Sequence, residues 1–254
     1  GAKQVLLGLP GSLRGLLFFY KLLLILVFLL CGVVLLVTAS RGAFLGVSAG
    51  LIVLFILKDR RFLWVVPIIL AVTVIIFLVF SGADFSRFID LLDTDLDNSS
   101  LSARVQIWRD AVYLIQDFPL TGIGIGTFGH VFQDFYNFTI FPGTEPFLFH
   151  PHNTFLSVAL DLGLPVLILY MALISAFFCM AWFAYKQADP LVKCLVIGLA
   201  CGMLSHLVFG LTDAYPLGKK LGVVMWLYFG LMSALYVNGY AIKIKESNLL
   251  DRKY

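Results

Sequence analysis

Long apolar runs separated by short polar links dominate the chain. A helix that crosses a bilayer needs about 20 mostly apolar residues. Six runs are candidates: residues 16–38, 43–57, 62–80, 164–185, 191–209 and 221–242. Most are apolar all round, the pattern of helices surrounded by lipid or protein. Between the third and fourth runs lies one long polar segment, residues 81–152, where the pattern changes. Arg104, Trp108, Ala111 and Ile115 recur at helical spacing. This predicts a helix from a Ser102 cap to about Asp117, with Arg104 on its apolar stripe and Arg109 turned elsewhere. Pro119 closes that helix, and Gly122, Gly124, Gly126 and Gly129 predict a flexible, close-packing turn. The expected fold is an all-α polytopic transmembrane bundle in three parts. Residues 1–80 carry three spans, 81–152 form an extracytoplasmic loop subdomain, and 153–254 carry three more spans and a cytoplasmic tail. The residues through Leu9 read as the end of an earlier helix, so an N-terminal part of a larger protein is expected ahead of this chain.

Composition agrees with the pattern. Of 254 residues, 61% are hydrophobic and 13% charged, with a mean hydropathy of +0.97. A soluble domain is about 45–50% apolar and about 25% charged, so a water-soluble globule is excluded. A net charge of +3 offers no basic surface for nucleic acid, and none is expected as a partner. The placement of charge says more. Lys58, Arg60 and Arg61 fill one link, Lys186 and Lys193 flank another, and Lys243, Lys245, Arg252 and Lys253 follow the last run. By parity of the spans these share one side, which the bias of Lys and Arg makes cytoplasmic. Ser40-Arg41, residues 81–152 and residues 212–220 then face outward, with Lys219 and Lys220 as a mild exception. The 81–152 segment holds nine acids against three arginines, as suits an exported segment. The four cysteines lie in apolar runs without paired spacing, so neither a disulfide framework nor a zinc site is expected.

A few polar groups stand where a membrane protein tolerates them only for a reason. The run behind Arg41 has 15 residues, about 22 Å of helix against a hydrocarbon core of about 30 Å. Unless its flanks extend the helix, Arg41 lies below the outer surface and either faces a polar cavity or snorkels to the headgroups. In Phe149-His150-Pro151-His152-Asn153-Thr154, Asn153 is an N-cap for the next helix. His152 then sits outside a helix N-terminus, whose dipole keeps an imidazole neutral and able to accept a proton. Loop hydrogen bonding is the plainer reading of the same residues. The two histidines could ligate a metal, but no third ligand has a recognisable spacing. Gly163-Leu164-Pro165 should split the segment after Asn153 into a short surface helix and a full span, with Asp161 at the outer boundary. His206, deep in a span, and Asp213 at its outer end read first as packing hydrogen-bonders. Residues 93–98 resemble the start of a calcium loop but lack its Gly and its bidentate Glu. Gly122-x-Gly-x-Gly follows no strand and is no dinucleotide fingerprint. The Asn98-Ser-Ser and Asn137-Phe-Thr acceptor patterns decide nothing. Gly46-x-x-x-Gly50 and Gly198-x-x-x-Gly202 are spacings that let helices approach closely.

Four stretches, in order, carry a resemblance: Thr38-Ala-Ser-Arg41-Gly-Ala-Phe-Leu; Arg104-x-x-x-Trp108-x-x-Ala111; Pro119-Leu-Thr-Gly-Ile-Gly-Ile-Gly-Thr-Phe128; and His150-Pro-His152-Asn-Thr-Phe-Leu with Leu162-Gly-Leu-Pro165. Together with Gly210-Leu-Thr-Asp213-Ala-Tyr-Pro and Trp226, the series resembles the O-antigen ligase/polymerase family of bacterial polyprenol-dependent glycosyltransferases, from about residue 22 to 241. The resemblance implies transfer of a glycan from a polyprenyl diphosphate carrier to an acceptor outside the cytoplasmic membrane. That acceptor is lipid A–core in ligases, a growing glycan in polymerases, or a protein side chain in oligosaccharyltransferases. It also implies roles: Arg41 and Arg104 stabilise the departing diphosphate, and His152 takes the acceptor's proton, with His150 second choice. His150, Asn153, Arg109 and Asp213 are expected to bind substrate. The anomeric centre should invert, and no metal or other cofactor is expected. A polytopic transporter of a lipid-linked or anionic substrate is the rival from another class. The expectation that matters most is that Arg41, Arg104 and His152 share a pocket at the outer rim of the bilayer.

Overall fold

The structure, a computed structural model, describes residues 11–38, 40–59, 67–68, 71–72, 75, 100–134, 150–213 and 220–251. Among them the chain is helical: α1 (Gly11–Thr38), α2 (Arg41–Lys58), α3 (Ser100–Asp117), α4 (Phe128–Asp134), α5 (Thr154–Leu162), α6 (Leu164–Gln187), α7 (Pro190–Phe209) and α8 (Lys220–Asp251). Five helices among the described residues are long and apolar enough to cross a membrane: Phe18–Thr38, Arg41–Lys58, Leu164–Gln187, Pro190–Phe209 and Gly222–Gly239. This is an all-α polytopic membrane protein. Of the six predicted spans, 62–80 falls almost wholly outside the described residues, as do the 93–98 acidic turn, Asn98 and the Asn137 acceptor pattern.

The chain divides into two units, Gly1–Arg41 and Gly42–Tyr254. In the first, α1 is apolar on every side from Leu22 onward, and the helix exposes Phe18, Leu24, Phe28 and Val37, as a lipid-facing helix does. The second unit is built on α6, which packs against α8, α7 and α5. Phe177 fills the centre, edge-on to Phe178 and Phe229, with Met203, Met225 and Met232 fully buried around it.

Helix α2 differs from its prediction in length. It takes in both charged flanks and runs for 18 residues, about 27 Å. Arg41 thus stands at its head, because the helix extends past the apolar run. Along one face of α2, Gly46 and Gly50 are buried against α7. A Cβ at Gly46 would lie 2.5 Å from the Ser205 carbonyl oxygen, and one at Gly50 2.8 Å from that of Cys201. Backbone meets backbone there, as the small-residue spacing predicts. The second spacing is half right. Gly202 meets the Tyr228 ring, while Gly198 has nothing within 4 Å.

The break between α5 and α6 lies at Gly163, whose φ of 84° only glycine adopts without strain. Pro165 sits in the first turn of α6, where its missing N–H costs nothing. Alongside, the glycine turn after α3 caps α5. Ile123 and Gly124 donate to the Leu160 and Asp161 carbonyls at 2.8 and 3.0 Å, acceptors that the helix end leaves open. A side chain at Gly122 would strike that same carbonyl edge, 2.6 Å away. The turn is close-packed at Gly122, as expected, but Gly126 has nothing within 4 Å, and Gly129 lies inside α4. Helix α3 begins at Ser100, so Ser102 is inside the helix and is not its cap. Ile107, Ala111 and Leu114 bury against Phe128 and Leu160, which brings the Arg104 stripe over α5.

Candidate active site: the α3, α5 and α7 junction

The histidine loop is fixed from both sides. Asn153 accepts from the Phe155 and Leu156 amides at 2.9 and 3.1 Å and donates to the Leu211 carbonyl at 3.2 Å. It is the predicted N-cap and also a tie to the end of α7. Thr154 adds two more ties, from its amide to the Gly210 carbonyl at 2.7 Å and from its hydroxyl to the Asp213 carbonyl at 3.2 Å. On the other flank, the Trp108 indole donates to the carbonyl of buried Pro151 at 2.8 Å. Between these anchors His152 is held at φ 47°. For a non-glycine residue that conformation costs about 1–2 kcal/mol, so the surroundings impose it.

The imposed geometry points the ring at a carboxylate. His152 Nδ1 lies 3.2 Å from Asp213 Oδ1. With its proton on Nδ1 and donated to Asp213, the ring carries its lone pair on Nε2. The two side chains are 32% and 39% exposed, so a substrate can reach them. His150 lies edge-on to His152, ring centroids 4.6 Å apart. One ligating atom each from His150, His152 and Asp213 lies within 4.8 Å of the others. Asp213 is thus a third donor that sequence spacing did not show.

Arg104 completes the cluster. Partly buried on α3, it donates from Nη1 to the Thr212 carbonyl at 2.8 Å. This fixes the guanidinium beside the turn that carries Asp213, leaving further N–H groups of the five in its fork for a ligand. The structure therefore brings together Arg104, His150, His152, Asn153 and Asp213. Arg109 is on the exposed side of α3 and does not join them. Arg41 is exposed at the head of α2.

Sequence reasoning missed two participants and one buried acid. Trp108 was placed on the right stripe, but its indole donor had no partner in view. The Thr212 carbonyl is main chain and leaves no signal. Asp110 was counted only as one of nine acids, yet it is 2% exposed and accepts from Gln106 at 3.0 Å. Burial raises its pKa, against the opposing pull of Gln106 and Arg109. Asp161, half-buried under the glycine turn, is pushed up to about 6 by desolvation, opposed by a hydrogen bond from the Gly126 amide.

A family model described as O-antigen ligase matches residues 26–171, more than half of the chain. That stretch contains Arg41, Arg104, His150, His152 and Asn153, and stops short of Asp213. The O-antigen ligase of Pseudomonas aeruginosa PAO1 is 26% identical over 210 residues, covering 82% of this chain and 46% of that protein. The chain spans about half the length of the curated relative it matches.

Proposed function

Because this chain belongs to the O-antigen ligase family, we propose that it is a membrane glycosyltransferase. It moves a glycan from a polyprenyl diphosphate carrier to an acceptor hydroxyl or amide, at the outer face of the bacterial cytoplasmic membrane. The observation that carries this reading is the His152–Asp213 pair at 3.2 Å, exposed beside a fixed guanidinium. Asp213 holds the ring with Nε2 toward the acceptor. His152 takes the acceptor's proton as the acceptor attacks the anomeric carbon. The bond from that carbon to the carrier phosphate breaks, and the departing diphosphate gains charge. Arg104 meets that charge from a position already paid for by its bond to Thr212, so little reorganisation is needed. Attack opposite the leaving group inverts the centre, and no metal is required. Arg41 enters on its motif alone, as a second cation for the diphosphate. His150 and Asn153 line the acceptor's approach.

The arrangement of charge supports the outer face. Helix α2 runs antiparallel to α7, and α6 and α7 form a hairpin, so Lys58, Lys186 and Lys193 lie at the end away from the site. Lys186 sits 4.5 Å over the Trp182 ring and Lys193 5.4 Å over Tyr185, pairings suited to a membrane–water boundary. Basic residues there support reading that end as cytoplasmic.

The test uses the purified protein in lipid nanodiscs with labelled lipid-linked glycan and an acceptor. Free polyprenyl diphosphate should appear in step with glycosylated acceptor. Donor recovered intact beside folded protein, as a transporter would leave it, overturns the proposal.

A further inference from the structure

The geometry points to a second use of the same cluster: His150, His152 and Asp213 form a site for a divalent transition-metal ion, and its occupation switches the reaction centre off. The binding half stands on the donor set alone. The inhibitory half rests on His152 being the proton acceptor.

Two imidazoles and one carboxylate suit zinc, copper, nickel or cobalt(II), whereas calcium and magnesium take oxygen ligands. Adjacent ligands on bonds of about 2.0–2.2 Å stand roughly 3–3.5 Å apart. His152 Nδ1 and Asp213 Oδ1, at 3.2 Å, already have that separation. One ligating atom of His150 lies within 4.8 Å of one from each of the other two residues, so a rotation of the His150 side chain closes the set.

The frame that holds two of the donors is stiff. His152 keeps its positive φ because Trp108, Asn153 and Thr154 fix the backbone on either side. Asp213 is held through its own carbonyl by the Thr154 hydroxyl. An ion therefore finds two ligands in place and must order only the third. Three protein ligands leave further positions open to water, so the site is exchangeable rather than structural.

The switch follows from the tautomer. In the transferase reading, Nδ1 carries the ring proton and Nε2 the lone pair. A metal ion bound at Nδ1 displaces that proton, and the neutral ring then carries its proton on Nε2. The nitrogen that must accept from the acceptor has become a donor. Asp213, engaged by the ion, no longer orients the ring. The ion's positive charge also lies where the acceptor must approach.

The experiment titrates the untagged protein in nanodiscs with Cu2+ alone and reads electron paramagnetic resonance. Expected is a signal with nitrogen couplings from two imidazoles. His150→Ala and Asp213→Asn should each weaken that binding by about 10–100-fold or more, with thermal melting of the metal-free variants confirming that they fold. No saturable signal, or one that both folded variants retain, overturns the site. A parallel arm follows glycan transfer against added Zn2+, then chelator. Transfer should fall over the range in which Zn2+ displaces Cu2+, and return on chelation. Undiminished transfer at saturating Zn2+ overturns the switch. Loss of transfer on chelator alone overturns both the switch and the metal-independent mechanism. If the protein transfers nothing under any condition, the Cu2+ arm still decides the site by itself.

Discussion

Arg104 on α3 and Thr212 after α7, 108 positions apart, are joined by a 2.8 Å hydrogen bond from guanidinium to carbonyl. That bond orients the cation beside Asp213 and seals α3 to the end of α7. Losing it should affect chemistry and stability separately. Arg104→Lys keeps the charge but loses the planar fork, and transfer should fall at least about tenfold. Arg104→Ala should lose about 10²–10³ in turnover and melt lower as the Thr212 carbonyl loses its donor. Turnover of the alanine variant within a few-fold of the parent would remove Arg104 from the reaction.

His152→Ala should lower transfer by about 10²–10⁴ with an unchanged melting curve. Asp213→Asn should lower kcat more than KM, since it disturbs the tautomer and leaves the acceptor's contacts in place. Single-turnover transfer assays separate the two. An Asp213→Asn enzyme with parental kcat would leave the carboxylate without an orienting role.

Trp108→Phe keeps the ring's bulk and removes one donor. The buried Pro151 carbonyl then lacks its partner, which costs about 1–3 kcal/mol. Some of that loss should appear as slower transfer, because His152 is held from this side. Parental stability would show that the bond does not tension the loop.

The two glycine spacings should separate cleanly. Gly46→Val drives a side chain into the α7 backbone and should cost about 1–3 kcal/mol through overpacking. Gly198→Ala enters open space and should change stability by about 0.5 kcal/mol or less. Thermal denaturation in one detergent compares them. Equal losses would contradict the α2–α7 contact.

Much of this was legible from the residues. Asn153 was readable as a cap, Gly163-Leu164-Pro165 as a break, and Arg104 with Trp108 as a shared face, because each depends on neighbours within a turn or two. The apolar run stops short of the ends of α2, because such a run marks lipid-facing residues while helical hydrogen bonding continues into charged flanks. The Asp213 role was hidden for another reason. Its partner is 61 positions away, and only the packing of α5 on the end of α7 brings them together. Main-chain acceptors such as Thr212 and Pro151 carry no side-chain signature at all.

Asp161 supplies a pH dependence. Its carboxyl titrates at about 6 in the folded protein against about 3.9 in an unfolded chain. The fold favours the neutral acid, so this contribution is fully present below about pH 4. It is lost as pH rises through about 6. Asp161→Asn keeps an acceptor for the Gly126 amide without the charge. The variant's melting temperature should match the parent near pH 4 and exceed it by about 2 °C or more near pH 8. A difference that stays constant across this range would assign the effect to something other than ionisation.

Thr154 binds the head of α5 to the tail of α7 through two separate atoms. The imidazole and its carboxylate therefore ride on one plate, and any rocking of the bundle must carry both together. Arg104 and Trp108 tie α3 to the same two segments, so in the proposed transferase a passing lipid would widen the gap to the bilayer without retuning the proton acceptor. On that reading the base would not need rebuilding after each lipid has come and gone.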